Sequence, residues 1–441
     1  MSNLQDSARQ IFLSGLQAVD ARAATQRAVS INHSLLQVCE TEIDIAGRSV
    51  YLVAIGKAAW AMAAGLIDVL GERIRRGIVC GPAHDGIQLP DWPTFNGGHP
   101  LPTEESVAAA RAALRLLEDS EENSVVIFLI SGGGSAMFEL PVSDEISLAD
   151  LREANRQLIA CGASISEINA VRRAFSAVKG GKLALAAPNS DQITLIVSDT
   201  NPDDMASVAS GPTITPDTPA LNAADMFSRY GLKDSLPKSI MAAVADEVTE
   251  SRRLTKRLRK HYVLLDNRTA LEAAALRATG RGFVVEIATD INEQEIETGC
   301  DLLLTRANQL WNQSGGKPIC LLSGGEFSCP VRGDGVGGRN LETVLRCALK
   351  LGDLSREKIP DWVVLSAGTD GIDGNSPAAG AVADEVMMRR AIAEGVSGAL
   401  FLSHSDSFNF FDPQDLLVSG PTGTNVRDVR VVLMEGARNP E

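Results

Sequence analysis

Five segments of the sequence combine glycine with hydroxyl, acidic or basic residues in a pattern that suits phosphate chemistry: 55–59, 130–137, 197–204, 322–327 and 366–374. Backbone N–H groups in glycine turns at helix N-termini form anion cradles with little steric obstruction. A turn without any ligand is the commoner role of a single glycine run, but five turns favour a shared anionic ligand. The candidate phosphate-binding residues are Gly56, Ser131, Gly132, Gly133, Gly134, Ser135, Gly324 and Gly325, with Gly337 and Gly338 in a later GVGG run.

Two cations are placed next to these glycine turns. Lys57 follows a buried strand directly, where a small turn residue is the ordinary choice. A lysine whose stem lies along the strand end is the alternative. Arg339 follows the GVGG run at the expected start of a helix, where an anion would sit. Four further cations lie in a segment of helical pattern, where their side chains could simply be exposed to solvent: Arg172, Arg173, Lys179 and Lys182.

Carboxylates also follow the predicted strands. Asp199 ends one strand with Asp203 and Asp204 after it, and Asp370 and Asp373 lie in a glycine-rich turn. Mg²⁺ prefers one or two carboxylates together with phosphate oxygens and water. Capping the N-terminus of the next helix is the alternative role of such an aspartate. The sequence favours metal binding for Asp199 and Asp370 and leaves both roles open for Asp373.

Other nucleotide-binding and catalytic motifs fit poorly. Neither Lys182 nor Lys317, each preceded by two glycines, continues into the Ser or Thr of a P-loop. The glycines of 333–338 match G-x-G-x-x-G, but the preceding residues include Pro330 and charges that would interrupt a buried strand. Ser135 lacks the G-x-S-x-G frame of a hydrolase nucleophile, and no H-E-x-x-H occurs. His99, in a glycine- and proline-rich loop, contacts substrate or stabilises that loop.

The elements that position these residues are short apolar strands alternating with longer Ala- and Leu-rich segments. This alternation predicts parallel sheets with covering helices, and ligands gather beyond the carboxyl ends of such strands. The strands are predicted at 48–55, 124–130, 192–198, 318–323 and 361–366. The N-terminal residues predict an amphipathic helix, and a helix is also expected to end in the basic run SRRLTKRLRKHY at 251–262 as a solvated face.

Length and composition narrow the class of protein. At 441 residues the chain exceeds one ordinary hydrophobic core, so two domains are expected. The net charge of −15 opposes binding to nucleic acid and to anionic membranes. Its 7 cysteines show no metal-site spacing, which favours reduced thiols in the cytoplasm. No apolar run is long enough for a membrane span.

Nine segments in order, over about residues 50–433, resemble the glycerate 2-kinase family with its C-terminal MOFRL domain. They are VAIGKAAWAMA, GGHPLPTEES, ISGGGSAM, INAVRRAFSAVKGGKLA, VSDTNPDDMASVASGPT, LLSGGE, GVGGRN, AGTDGIDG and SGPTGTNVRDVRVVL. Each glycine turn alone is unspecific, but the ordered set is highly specific.

The resemblance implies an α/β fold with an N-terminal Rossmann-like domain at 1–245, a C-terminal domain at 246–441 containing the MOFRL region at about 315–435, and an active-site cleft between them. It implies Mg²⁺-dependent transfer of the ATP γ-phosphoryl group to the 2-hydroxyl of D-glycerate. Lys57 and Arg339 are then catalytic, and the acid of the VSD motif corresponds to Asp199, as base or metal ligand. From its place after a strand, Asp370 is expected to be a second metal ligand. We further expect Arg172 and Asn340 to bind substrate.

Two rival functions remain. Homologues are also labelled hydroxypyruvate reductases, so an NAD(P)H-dependent reductase that uses the glycines of 333–338 is the first rival. A non-catalytic nucleotide-binding regulator is the second; it would keep the glycine turns, would not need Lys57 and Arg339 together, and would bind ATP without consuming it. A homodimer stays open, and no nucleic-acid or membrane partner is expected.

Overall fold

The computed structural model describes residues 3–84, 86–163, 165–201, 204–215, 223–245, 256–354 and 360–436. The chain divides into two compact units. The first, Ala21–Leu265, is called here the parallel-sheet unit. The second, called the mixed-sheet unit, joins Met1–Asp20 to Asp266–Glu441.

Strands and helices alternate along much of the chain, as predicted, although in several places strands or helices occur in succession. The α-helices of the described residues are α1 (Asn3–Ala18), α2 (Ala21–Ala28), α3 (Ala59–Leu70), α4 (Glu104–Glu118), α5 (Gly134–Met137), α6 (Leu148–Ala160), α7 (Ile165–Phe175), α8 (Ala223–Arg229), α9 (Lys238–Ala245), α10 (Asn267–Gly280), α11 (Ile296–Gln313), α12 (Arg339–Leu354), α13 (Glu385–Ala393) and α14 (Gly398–Ser403). The strands are β1 (Val29–Asn32), β2 (Leu35–Val38), β3 (Thr41–Asp44), β4 (Val50–Ile55), β5 (Ile74–Cys80), β6 (Thr94–Phe95), β7 (Val125–Ser131), β8 (Asp191–Val197), β9 (Arg259–Leu265), β10 (Val284–Ile287), β11 (Ile319–Gly325), β12 (Asp361–Gly368), β13 (Gly380–Asp384), β14 (Leu416–Leu417) and β15 (Asp428–Glu435).

The parallel-sheet unit is built on a six-stranded sheet in the order β6-β5-β4-β7-β8-β9, and all its pairs are parallel. Every residue of β4 and β7 is buried, as the continuous apolar runs require in a sheet covered on both faces. From β4 the chain passes to β5 on one side, and β7 then joins β4 on the other side. Strands that follow β4 in the chain are thus added first on one side of it and then on the other, so the strand order reverses between β4 and β7. The predicted Rossmann-like parallel sheet is confirmed.

One predicted helix in this unit is wrong. The expected basic helix at the end of the unit is instead strand β9, which pairs in parallel with β8. β9 lies at the edge of the sheet, where Lys260 is exposed, whereas Arg259 is partly buried and its Nη1 donates to Gln192 Oε1 at 2.6 Å. Residues 251–255 of the basic run lie outside the described residues.

The mixed-sheet unit contains a second six-stranded sheet in the order β10-β11-β15-β12-β13-β14. Here only β10 and β11 are parallel, and β15 runs antiparallel to both of its neighbours, β11 and β12. The expectation of a parallel sheet in this half of the chain is therefore wrong. Both β11 and β12 were predicted, but the last strand inserts between them in the opposite direction, which no local pattern reveals.

The N-terminal residues form the predicted amphipathic helix, α1, which buries Ile11 and Phe12. This helix packs on α10 and on β15, so it belongs to the mixed-sheet unit. The compact units thus differ from the predicted bounds of 1–245 and 246–441 in two ways. Met1–Asp20 joins the C-terminal part of the chain, and the division falls between Leu265 and Asp266.

The seven cysteines are all free thiols. Among the described residues, no helix combines the length and the apolar character that crossing a membrane would demand.

Candidate active site

Two loops meet where the parallel sheet reverses direction, which is where open α/β sheets bind their ligands. The loop after β4 carries Lys57, and the loop after β7 carries the SGGGS turn. The Lys57 N–H donates to the Gly132 carbonyl at 2.9 Å, and the Ala58 N–H donates to Ser131 Oγ at 3.0 Å. Ser131 Oγ in turn donates to the Ile55 carbonyl at 3.2 Å. The two loops are therefore fixed against each other by one backbone hydrogen bond and by the Ser131 hydroxyl.

Glycine is required at two positions of this pair of loops. Gly56 has a φ of +107°, and an added Cβ there would overlap the Ser131 carbonyl. An added Cβ on Gly132 would overlap the carboxylate of Asp199. The predicted acid at the end of β8 therefore lies directly over the glycine turn.

Lys57 and His99 flank the next glycine of the turn. A Cβ added to Gly133 would lie 3.1 Å from Lys57 Cγ and 3.5 Å from His99 Cδ2. A cation, an imidazole and the carboxylate of Asp199 thus surround backbone that carries no side chains. This cluster at the sheet edge is what the sequence predicted for an anion site, although the roles of its members stay predictions.

Ser135 belongs to the short helix α5 and contacts Ser210, a residue for which the sequence indicated no individual role. Its Oγ lies 2.7 Å from Ser210 Oγ, which donates to Asn169 Oδ1 at 2.9 Å. Ala209 and Ser210 both have positive φ, 51° and 61°. Such strain in residues other than glycine concentrates at functional sites. The segment VASGPT was part of the resemblance, but nothing in its composition indicates left-handed backbone at an alanine and a serine.

The basic segment after α6 is buried rather than exposed, so the expectation of solvated cations there is wrong for two of them. Arg172 Nε donates to Asn155 Oδ1 at 2.8 Å, and burial lowers the pKa of Arg172. Lys179 is buried against Glu139, with which it forms an ion pair. Both cations therefore have partners inside the parallel-sheet unit, and substrate binding by Arg172 stays a prediction.

The mixed-sheet unit contains a cavity of about 420 Å³ beside the GVGG run. Its wall includes Gly337 and Gly338, the guanidinium of Arg339, and the apolar side chains of Phe327 and Val331. Arg339 is the first residue of α12, as the sequence predicted. The cavity has the size of a small-molecule site, and one fixed cation lies at its wall.

Arg339 is held by two carboxylates. Its Nε and Nη2 donate to the two oxygens of Asp428, at 2.6 and 3.1 Å, and Nη2 also pairs with Glu326 at 2.8 Å. Burial alone would lower the pKa of Arg339, but these two carboxylates outweigh burial and raise it above its ordinary value. Burial alone would likewise raise the pKa of Asp428, yet the neighbouring guanidinium holds it below its ordinary value. The pair therefore stays charged.

Asp373 caps the start of α12. Its oxygens accept from the backbone N–H groups of Asn340, at 3.1 Å, and Leu341, at 2.8 Å. Burial raises the pKa of Asp373 to about 7, although these backbone hydrogen bonds oppose the shift. Capping was one of the two roles considered from the sequence, but the helix that is capped precedes Asp373 in the chain instead of following it.

Asn340, predicted to bind substrate, has its side chain engaged within the protein. Its Nδ2 donates to Asp428 at 2.9 Å and lies 3.3 Å from Asp373 Oδ1, and its Oδ1 accepts from Ser366 at 2.5 Å. The Asn340 side chain is buried. It therefore connects Asp373 to Asp428, the acid that holds Arg339. Direct contact with substrate stays a prediction that this geometry does not favour.

The glycines of the SGGE segment occupy the end of strand β11 and do not open a helix, since α12 begins only at Arg339. A Cβ on Gly324 would overlap the amide of Asn267. The carbonyls of Gly324 and Gly325 accept from the buried Arg430, which also stacks 3.6 Å above the ring of Phe327. An anion cradle formed by Gly324 and Gly325 therefore stays a prediction.

Asp370 follows β12 as predicted, and its Oδ1 accepts from the Ile372 N–H at 3.3 Å. Among the described residues, no group of three or more His, Cys, Asp and Glu side chains could hold a metal ion. Asp203, a third carboxylate considered from the sequence, lies outside the described residues. A magnesium ion would thus have to take most of its ligands from phosphate and water.

Two family models match the chain. A domain of unknown function, DUF4147, matches residues 7–245, and the MOFRL family model matches residues 319–428. Among curated proteins, the D-glycerate 2-kinase of Thermotoga maritima is 35% identical over 389 residues, covering 87% of this chain and 90% of the relative. The glycerate 2-kinase of Pyrococcus horikoshii is 32% identical over 432 residues and covers 96% of each chain. A putative hydroxypyruvate reductase of Agrobacterium vitis is 35% identical over 396 residues, 88% of this chain and 100% of the relative.

A crystal structure shows the same fold. The glycerate kinase of Thermotoga maritima superposes with a TM-score of 0.80 at 31% sequence identity, over 98% of this chain and 99% of that one. Full-length similarity in sequence and in fold agrees with the ordered motifs and with the α/β architecture of both units. The chain, with its DUF4147 and MOFRL domains, therefore belongs to the glycerate kinase family of enzymes.

Proposed function

We propose that this enzyme transfers the γ-phosphoryl group of ATP to the 2-hydroxyl of D-glycerate, giving 2-phosphoglycerate and ADP. The observation that carries the proposal is the cluster at the switch point of the parallel sheet. There, Lys57 and Asp199 flank a glycine turn in which Gly132 and Gly133 leave the backbone unobstructed. Phosphoryl transfer needs positioning and charge neutralisation more than covalent chemistry, and this cluster supplies both.

Each predicted catalytic residue has a role in this proposal. Lys57 neutralises charge on the phosphoryl group in transfer. Arg339 binds either that group or the glycerate carboxylate, because its guanidinium presents paired N–H donors to paired oxygens. Asp199 accepts the proton of the attacking hydroxyl or holds the metal ion. The backbone of 131–135 lies against phosphate oxygens, and Gly337 and Gly338 line the cavity beside Arg339.

Magnesium fits the donor set. Asp199 and Asp370 are each proposed as a ligand, and both are carboxylates placed at the end of a buried strand. Mg²⁺ would neutralise charge on the phosphate oxygens of ATP.

The proposed partners of the enzyme are small molecules, glycerate and ATP. We propose a cytoplasmic location, because the seven cysteines are all free thiols.

The product identifies the reaction. The enzyme is incubated with D-glycerate, ATP and Mg²⁺, and the proton-coupled phosphorus NMR spectrum of the product is recorded. A phosphate ester at carbon 2 is next to one proton and gives a doublet, whereas an ester at carbon 3 is next to two and gives a triplet. A doublet together with ADP supports the proposal. A triplet would correct the position of phosphorylation, and no new ester would refute the kinase activity.

The hydroxypyruvate reductase function has less support than the kinase function. A dinucleotide fingerprint places the pyrophosphate at the N-terminus of the helix that follows its glycines. In this chain Asp373 already accepts from the N–H groups of Asn340 and Leu341 at that helix start. A second anion there would meet the Asp373 carboxylate. Oxidation of NADH in the presence of hydroxypyruvate, without ADP formation from glycerate, would reverse this preference.

A further inference from the structure

The guanidinium of Arg339 has two edges that can bind a pair of oxygens. The edge formed by Nε and Nη2 is occupied by Asp428, with distances of 2.6 and 3.1 Å. Nη2 also pairs with Glu326 Oε1 at 2.8 Å. Among the residues that the structure describes, none accepts a hydrogen bond from Nη1. With 35% of its side chain exposed and a place in the cavity wall, Arg339 thus offers this end to a ligand.

Asp428 is anchored more firmly than an ordinary ion-pair partner. Its side chain is fully buried, with 0% exposed, and it begins β15 between β11 and β12. Asn340 Nδ2 donates to its Oδ1 at 2.9 Å. Its own backbone carbonyl accepts from Asn267 at 2.9 Å. A carboxylate fixed in this way determines both where the guanidinium lies and how its plane is turned.

We propose that Asp428 is a positioning residue for the reaction: it holds the Nε–Nη2 edge of Arg339 so that Nη1 meets an oxyanion of the substrate or of the transferring phosphoryl group. The assignment rests on the proposed function of Arg339. Asp428 escaped prediction from the sequence, where it is one of several charged residues in the RDVRVVL run.

A purely structural role for Asp428 is the alternative to be tested. Its Oδ2 lies 3.6 Å from Nη2 of the buried Arg430, so Asp428 also balances that charge. Removing the carboxylate would then lower stability whether or not it aims Arg339. The experiment therefore needs a measurement that depends on the contact with Arg339 and not on folding alone.

The first test is a double-mutant cycle on kcat/KM with Asp428→Asn, Arg339→Ala and the double variant. Misplacing a catalytic group by about 1 Å costs about 100-fold in rate, so Asp428→Asn is expected to lower kcat/KM by about that factor. If Asp428 acts through Arg339, then the same change in the Arg339→Ala background has little further effect. Two fully additive losses, or normal kcat/KM for Asp428→Asn, would overturn the proposal.

A matched control separates positioning from stability. Asp384 is another buried aspartate of the mixed-sheet unit, and its Oδ1 caps α13 by accepting from the Met387 N–H at 2.9 Å. Asp384→Ala is expected to lower the melting temperature while leaving kcat/KM unchanged at the assay temperature. Equal losses of kcat/KM in Asp384→Ala and Asp428→Asn would assign both aspartates a structural role.

The second test remains informative even where Asp428→Asn fails to fold. Arg339→Ala leaves space beside Asp428, and millimolar guanidinium chloride supplies the missing group. We expect guanidinium to restore part of the activity, whereas urea, which has the same planar shape and no charge, restores none at matched ionic strength. Equal effects of guanidinium and urea, or no effect of either, would contradict a carboxylate anchor.

Failure of the proposed function is distinguishable from failure of this inference. If the wild-type enzyme forms no phosphate ester from glycerate, the kinase assignment fails. Calorimetric binding of guanidinium to Arg339→Ala then still tests the anchor, because it needs no turnover. Binding that is lost by at least tenfold in the double variant supports the positioning role of Asp428, and unchanged binding overturns it.

Discussion

The two units each bring a cation to a glycine-rich loop, but they do so by different means. In the parallel-sheet unit, Lys57 is placed by main-chain N–H groups of its own loop, which donate to the Gly132 carbonyl and to Ser131 Oγ where the sheet changes direction. In the mixed-sheet unit, Arg339 is placed by the side chains of Asp428 and Glu326. The first site is thus fixed by topology and backbone, and the second by buried charge.

This difference predicts how each site fails when it is changed. A backbone-built site tolerates the loss of a side chain without loss of stability, but it is sensitive to any added Cβ. A charge-built site couples function to stability and to pH, because each buried charge has partners that remain when it is removed. The three predictions that follow use this contrast, from the largest expected effect to the smallest.

Lys57→Met is expected to abolish most of the activity without unfolding the protein. A single cation that stabilises charge in phosphoryl transfer is worth about 1,000-fold or more in kcat. Because the loop is held by its main-chain N–H groups and by Ser131, the melting temperature should stay close to that of wild type. Steady-state kinetics and thermal unfolding check both parts. Lys233→Met, at an exposed position of the same unit, is the matched control and should retain full activity.

A Lys57→Met enzyme with undiminished kcat would remove this residue from the mechanism. A large fall in melting temperature would instead show that the lysine stem contributes to packing. That was the alternative role considered from the sequence.

The same contrast explains what could be predicted from the sequence. Strands such as β4 and β7 are continuous apolar runs, and parallel strands bring the residues after them to one edge of the sheet. Lys57, Asp199 and the glycine turn could therefore be placed together from local patterns and a general rule of sheet topology. Nothing in the sequence indicates that Asp428 and Glu326 hold Arg339. Asp428 lies 89 residues away in sequence, and it reaches Arg339 only because β15 runs antiparallel between β11 and β12.

Burial of charge is the other feature that local patterns missed. The sequence shows Arg172 and Lys179 in a segment of helical appearance, and exposure was the ordinary expectation. Whether a cation is buried depends on a partner from elsewhere, here Glu139 for Lys179 and Asn155 for Arg172. Asp373 is a similar case, because the helix it caps is earlier in the chain. Pairings of this kind are properties of the folded chain and not of any single segment.

Gly132→Ala should disable the backbone-built site by moving one carboxylate. The added Cβ overlaps the Asp199 carboxylate and lies 2.9 Å from the Asp199 Cβ, so Asp199 is expected to leave its place over the turn through a small shift of its loop while the protein still folds. A displacement of this size costs about 100-fold in kcat/KM. Gly280→Ala, at the end of α10 where an added Cβ meets nothing within 4 Å, is the control and should have wild-type kinetics. Normal kcat/KM for Gly132→Ala would show that the position of Asp199 is unimportant.

Asp373→Asn tests the charge-built site through the pH dependence of stability. Burial raises the pKa of Asp373 to about 7, above its value in the unfolded chain. Between these two values the folded state binds the extra proton, so the contribution of Asp373 is most favourable at low pH and is lost as pH rises towards 7. Asparagine does not ionise and lacks this loss. The stability of the variant relative to wild type should therefore improve by about 2 to 3 kcal/mol between pH 5 and pH 8. Urea unfolding at both pH values measures it, and a pH-independent difference would mean that Asp373 is already ionised at pH 5 in the folded protein, held so by the N–H groups of Asn340 and Leu341.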